Sequence, residues 1–221
     1  AGIDMIDETV NYDSGIRNYN RMLEGKRAFI TTAARGIGKS IAILFARQGA
    51  TVYFAGRNEC YVRETESELQ LLAPESRGYI CDLADGAQSE ETAALVLRDS
   101  GGIDILINNA GISDSTPISG YTAERFAKIM QLNVDAVMNG VLAVVDIMKE
   151  QGGGCILNTS SMVSFCGQPG GVGYPTSKSA VNGLTWSLAR ELGPSNIRVN
   201  AVAPGITRTD MVAALPERMI Q

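Results

Sequence analysis

From Lys26 to Val202 the chain alternates short apolar runs with longer stretches whose apolar residues recur at helical spacing. Arg27-Ala28-Phe29-Ile30-Thr31 reads as a first strand, and Gly36-Ile37-Gly38 opens a helix that runs through Ile41, Ala42, Leu44 and Phe45 to about Gly49. Thr51–Ala55 is a second strand, followed by a helix over Asn58–Leu72. Pro74 and Gly78 bracket the loop into a third strand, Tyr79-Ile80-Cys81. A helix over Ala87–Leu97 leads to a fourth strand, Ile103–Ile107. A long helix, Ala123–Met148, covers more than one apolar stripe, so it is expected to be buried on two sides. Cys155-Ile156-Leu157 is the fifth strand, a helix runs from Gly173 to Leu192, and Ile197–Val202 is the sixth strand. Strands alternating with helices predict an α/β fold, a doubly wound parallel sheet in a single domain over residues 22–221. Residues 1–21 lack periodicity and read as an N-terminal extension whose first four residues resemble an expression scar.

Composition narrows the function classes. At 221 residues and 45% hydrophobic the chain can bury one sizeable core. A net charge of -5 opposes a nucleic-acid partner. Neither an 18-residue apolar run nor a signal-like start is seen, so a soluble cytoplasmic protein with no membrane partner is expected. The chain has no His, and its four cysteines lack paired spacing, which removes His-based triads and most zinc sites; no metal is expected. The thiols read as reduced packing residues.

Candidate chemistry gathers where strands end. In a doubly wound sheet ligands lie beyond the carboxyl ends of the strands, and Gly36, Arg57, Asp82, Asn109 and Ser161 all fall there. Tyr174 and Lys178, four residues apart, share a helix face, and the fifth strand brings Ser161 near them. A phenol, an ammonium and a hydroxyl then converge, and the ammonium is expected to lower the phenol pKa towards the working range. The glycine turn either points helix N-H groups at a pyrophosphate or simply packs helix on strand. The second strand ends in Gly56-Arg57 without an acid, so Arg57 and Arg35 either clamp a 2′-phosphate or are solvated side chains. Asn133, polar among apolar neighbours, either bonds a helix carbonyl or has a functional role. Thr207, Thr209 and Asp210 follow Pro204-Gly205 in a loop over the proposed site.

Thr31-Thr32-Ala33-Ala34-Arg35-Gly36-Ile37-Gly38, Asn108-Asn109-Ala110-Gly111, Ser161 with Tyr174 and Lys178, and Pro204-Gly205 together resemble the short-chain dehydrogenase/reductase family, with its Rossmann fold, from Met22 to Met211. Arg35, Asn109, the spacing from Ser161 to Tyr174 (174 − 161 = 13) and Thr209-Asp210-Met211 look most like bacterial 3-oxoacyl-[acyl-carrier-protein] reductases and their relatives. The resemblance implies an NADP-dependent oxidoreductase acting on a small-molecule ketone, secondary alcohol or 3-oxoacyl thioester. Tyr174 would be proton donor and acceptor, Lys178 would hold the nicotinamide ribose and lower the tyrosine pKa, Ser161 would polarise the carbonyl, and Asn133 would support a water relay to Lys178. Thr32, Ala33, Ala34, Arg35 and Ile37 would line the pyrophosphate, Asp82 and Leu83 the adenine, Asn109 the adenosine side, and Thr207 the carboxamide.

Thr32 departs from the family pattern, which has a glycine there; a β-branched residue disfavours positive φ and is expected to reduce cofactor affinity. The family also adds a seventh strand and its helix beyond Pro204, so a longer natural chain is expected. Apolar helices 123–148 and 174–192 imply a homo-oligomer. The competing reading from another class is a non-catalytic dinucleotide-binding protein serving regulation or assembly.

Overall fold

The computed structural model describes residues 21–207; most of the N-terminal extension, the Thr209-Asp210-Met211 stretch and the region of any seventh strand lie outside the described residues. Within them the chain forms β1 (Arg27–Ile30), α1 (Gly36–Arg47), β2 (Thr51–Gly56), α2 (Glu59–Gln70), β3 (Arg77–Ile80), α3 (Gly86–Ser100), β4 (Ile105–Asn108), α4 (Ala123–Met130), α5 (Ala136–Glu150), β5 (Gly154–Thr159), the short α6 (Val163–Cys166), α7 (Gly173–Leu192) and β6 (Ile197–Val202). The six strands make one sheet in the order β3-β2-β1-β4-β5-β6, every pair parallel. The strand order reverses between β1 and β4, which opens a crevice at their carboxyl ends.

The period of two in the strands divides the core. Phe29, Tyr53, Leu106 and Ile156 turn to one face and pack with Val96 of α3, Val141, Val144 and Met148 of α5 and Leu188 of α7. Their neighbours Ile30, Phe54 and Ile107 turn to the other face, with Ala42 and Ala46 of α1 and Val62 and Leu69 of α2. A parallel strand covered on both faces must be apolar throughout, as the run Val52–Ala55 is. Phe54 is fully buried, and truncating it to alanine would cost about 3–5 kcal/mol.

Two strands are displaced from expectation: β3 starts at Arg77, where pairing with Tyr53 overrides the strand-poor Arg77-Gly78 pair, and β4 begins two residues later than its apolar run. The long helix is broken. A π-helical turn, Gln131–Asp135, separates α4 from α5, and apolar periodicity cannot register this single turn. By length and composition Ala123–Glu150 would span a membrane, yet Val137, Val141, Val144 and Met148 are buried in this fold, as in a core helix. Cys81 is buried, whereas Cys60 and Cys166 are exposed, so these two are not packing residues.

Candidate active site

One end of the crevice is built from β1, β2, β3 and the start of α1. The Thr31 hydroxyl oxygen accepts from the backbone N-H of Asn109 (3.0 Å) and Ala110 (3.2 Å). Asn109 Nδ2 donates to the Thr32 carbonyl (2.9 Å), and the Thr159 hydroxyl donates to Asn109 Oδ1 (3.3 Å). The Asn109 amide therefore joins the ends of β1, β4 and β5. A Cβ at Gly38 would stand 1.8 Å from the Thr32 carbonyl oxygen, so only glycine lets α1 pack this close.

α1 begins after Arg35, whose side chain makes no cap hydrogen bond, and no acid stands in the first turn. Such an end presents N-H groups and a positive dipole to an anion. Ala33 is fully buried and Ala34 packs against Gly56, so these two would meet a ligand through backbone. Ile37 is half-buried at the same turn. Thr32 is not among the residues with positive φ, so the conformational penalty expected of it does not arise. Instead its Oγ1 is buried with no hydrogen-bond partner among the described residues. Thr32, Arg57, Asp82, Leu83, Ala110 and Leu132 border a cavity of about 70 Å³. Arg57 is exposed at the end of β2, and the Arg35 guanidinium lies 4.8 Å from the centre of the Tyr61 ring. The buried Thr32 hydroxyl, a helix end with no side-chain cap from Arg35 and two arginines fit the anionic part of a dinucleotide. A larger polar cavity, about 510 Å³, opens at the amino end of β3 beside Tyr53, Glu66 and Arg77, away from these groups.

The other end is formed by β5 and α7. Ser161, Lys178 and Asn133 are buried, at 8%, 4% and 0% exposure. Lys178 Nζ donates to the Thr159 carbonyl at 2.8 Å and lies 5.9 Å from the centre of the Tyr174 ring. Burial pushes its pKa down to about 8. Burial also pushes the Tyr174 phenol up, opposed by a hydrogen bond from Ser161. This corrects the expectation of a phenol acidified by Lys178: the ammonium is directed to a carbonyl, and desolvation dominates. The Tyr174 phenol therefore keeps its proton at neutral pH.

Asn133 sits in the π-helical turn. Its Oδ1 accepts from the Ile112 N-H (2.7 Å), and its Nδ2 donates to the Ile112 carbonyl and to the Ser177 hydroxyl (both 2.9 Å). It thus ties the loop after β4 to α7, one residue from Lys178, rather than bonding a carbonyl of its own helix. Thr207 is exposed and donates to the Gly205 carbonyl (3.3 Å).

Sequence reasoning missed Asp114. Burial alone would raise its pKa, but hydrogen bonds from Tyr121, Arg125 and Thr116 hold it at about 2. Its signal was the Asx spacing to Thr116, whose N-H and hydroxyl both donate to Oδ1. Met162, Phe165 and Val172, within the Met162–Gly173 stretch expected to shape the substrate pocket, are large, apolar and exposed, as are Ile118 and Ile206 on the segments following β4 and β6.

The sequence profile of the short chain dehydrogenases matches residues 26–219. The chain is 54% identical over 202 residues to a 3alpha-hydroxysteroid dehydrogenase of Mediterraneibacter gnavus, covering 90% of this chain and 81% of that protein. It is 39% identical over 196 residues to a 3-oxoacyl-[acyl-carrier-protein] reductase of Thermotoga maritima, covering 89% and 80%. A solved 7alpha-hydroxysteroid dehydrogenase in complex with NADH and 7-oxo glycochenodeoxycholic acid superposes with a TM-score of 0.84 at 32% identity, covering 91% of this chain and 78% of that one.

Proposed function

From the premise that the chain belongs to the short-chain dehydrogenase/reductase family, we propose an NADP-dependent oxidoreductase that interconverts a bulky alicyclic secondary alcohol, of the hydroxysteroid class, with its ketone. The observation that carries the reading is the meeting of buried Ser161, beyond the end of β5, with half-buried Tyr174 and buried Lys178 of α7. When bound, the nicotinamide dinucleotide supplies or takes the hydride.

The chain's own residues do the rest. Ser161 donates a hydrogen bond to the substrate oxygen, and Tyr174 gives that oxygen its proton in reduction or takes it in oxidation. Buried Lys178 keeps a positive charge near the phenol, which favours the phenolate left after proton transfer. Asn133 holds the loop and α7 in register. The Thr32–Ile37 backbone and Asn109 fit the pyrophosphate and adenosine side, Asp82 and Leu83 the adenine, and Thr207 the carboxamide.

NADP is favoured by Arg57 and Arg35 with no acid at the end of β2. The NADH held by the structural neighbour favours the second reading, NAD. The apolar rim suits a fused-ring substrate, and 54% identity to a hydroxysteroid dehydrogenase supports that class over the acyl thioester. A homo-oligomer paired through α5 and α7 accords with the exposed Leu142 and Trp186.

Initial rates with NADP and NAD, each against hydroxysteroids, simple secondary alcohols and, in reverse, a 3-oxoacyl thioester, test the reading. The proposal expects NADP with a hydroxysteroid to be fastest. Faster thioester reduction would reassign the substrate, and cofactor binding with no turnover would favour the non-catalytic alternative.

A further inference from the structure

The helix that carries Tyr174 begins without a cap of its own. Val172, at the N-cap of α7, makes no side-chain cap hydrogen bond. The first helical N-H, that of Gly173, donates instead to the Tyr121 hydroxyl at 3.1 Å, from a segment 52 residues earlier. The contact is tight: a Cβ on Gly173 would stand 2.2 Å from that oxygen.

Tyr121 is itself held. The Asp114 side chain is fully buried, and its Oδ1 accepts from Arg125 Nη2 (2.9 Å) and Nε (3.0 Å) and from the Thr116 hydroxyl (2.9 Å). Oδ2 is buried with no hydrogen-bond partner among the described residues, and the Asp114 carboxylate beside it is, after burial, a cause of the raised Tyr121 phenol pKa. A phenol uses its proton and its lone pairs separately, so Tyr121 can donate to Asp114 while accepting from Gly173. The same two segments are joined again: Gly171 N-H donates to the Thr116 carbonyl (2.8 Å), and Gln168 Nε2 to the Asp114 carbonyl (2.6 Å). Gly171 adopts φ +74, where a Cβ would stand 2.1 Å from the Asp114 carbonyl oxygen.

The geometry points to Tyr121 and Asp114 as positioning residues for Tyr174: Asp114 orients the Tyr121 hydroxyl, that oxygen fixes the first turn of α7, and the turn sets Tyr174 against Ser161. This rests on the reading of Tyr174 as the proton donor. Neither residue touches the reacting atoms. Their effect is on the phenol's placement, so it falls on turnover and on its pH dependence and leaves the dinucleotide end, built on other strands, unaffected.

Tyr121→Phe tests this, because it removes the oxygen and keeps the ring. It is run beside wild type, Asp114→Asn and Tyr174→Phe, with kcat, KM, NADPH Kd and the pH profile of kcat measured for each. The expected result for Tyr121→Phe is a fall in kcat of about tenfold or more, as misplacement of a reacting group produces. NADPH Kd should stay within about twofold, and the pH limb belonging to Tyr174 should move by about half a unit or more. Asp114→Asn should move the same limb in the same direction; if it does not fold, Tyr121→Phe decides alone. A Tyr121→Phe enzyme with wild-type kcat and pH profile and only a lower Tm would overturn the proposal, since a purely structural hydrogen bond does that. Wild-type turnover in Tyr174→Phe would instead overturn the assignment of Tyr174, whatever Tyr121→Phe shows.

Discussion

The two ends of the crevice are ordered by different means. At the β5–α7 end the side chains that would do chemistry are already committed to protein partners: Lys178 to the Thr159 carbonyl, Asn133 to Ile112 and Ser177, and Tyr174 to Ser161. At the β1–β2 end, proposed to meet a phosphate, the side chains are less committed: the buried Thr32 hydroxyl has no partner among the described residues, Arg57 is exposed and α1 starts without a side-chain cap from Arg35. In the proposed mechanism one end holds a proton-transfer group in place before substrate arrives, and the other offers charge and hydrogen-bonding capacity to an anion. Preorganisation suits the end where misplacement costs rate, and openness suits the end where binding energy is gained.

The largest expected effect breaks the catalytic end alone. Tyr174→Phe should lower turnover by about a thousandfold or more, roughly 4 kcal/mol of barrier, and leave NADPH affinity nearly unchanged. Paired kinetics and calorimetry check this, and loss of both together would erase the distinction between the two ends.

The electrostatic cost of the catalytic end should show in stability. Lys178 has a folded pKa of about 8 against 10.5 for the ordinary side chain. Below pH 8 both states hold the proton, and the cost of burying the charge is fully present. Between about 8 and 10.5 the unfolded state binds more protons, so this group makes the fold more stable as pH rises. Tyr174, raised instead, acts in the opposite sense above pH 10. The stability of Lys178→Met relative to wild type should therefore fall by about 2 kcal/mol between pH 7 and pH 9.5. Urea unfolding at both pH values measures it, and a constant difference would mean that the ammonium is not desolvated.

At the dinucleotide end effects should be on binding. Arg57→Asp should weaken NADPH by about 1.5–3 kcal/mol and NADH much less, by loss of a charge-assisted contact. Equal weakening, measured as two Kd values, would remove Arg57 from the phosphate site. The smallest effect is Thr32→Val, which deletes the orphaned hydroxyl at constant shape: the ligand-free protein should gain about 1 kcal/mol in urea unfolding, and cofactor affinity should decline. An unchanged stability would imply that the hydroxyl is already satisfied.

How much of this was legible in the sequence follows from the range of each interaction. Apolar alternation and helical periodicity are local, so the element order, the parallel sheet and the gathering of Arg57, Asp82, Asn109 and Ser161 at strand ends could be read directly. The π-helical turn at Asn133 could not, because one widened turn leaves the apolar stripe nearly intact. The Tyr174 pKa was misjudged in direction because spacing gives proximity to Lys178 but says nothing of burial, which here outweighs it. Asp114 left only the local signal of its Asx spacing to Thr116, and Tyr121 left none, since the partners that give them a role, Arg125 and Gly173, lie in other elements.

The contrast proposed between the two ends is tested most directly by amide hydrogen exchange with and without saturating NADPH. The account predicts that protection rises in Thr32–Ile37 and Arg57–Tyr61, while Ser160–Lys178 is protected to a similar degree in both states. Rapid exchange across Ser160–Lys178 without cofactor, suppressed only when NADPH binds, would contradict it and make the catalytic end as dependent on ligand as the other.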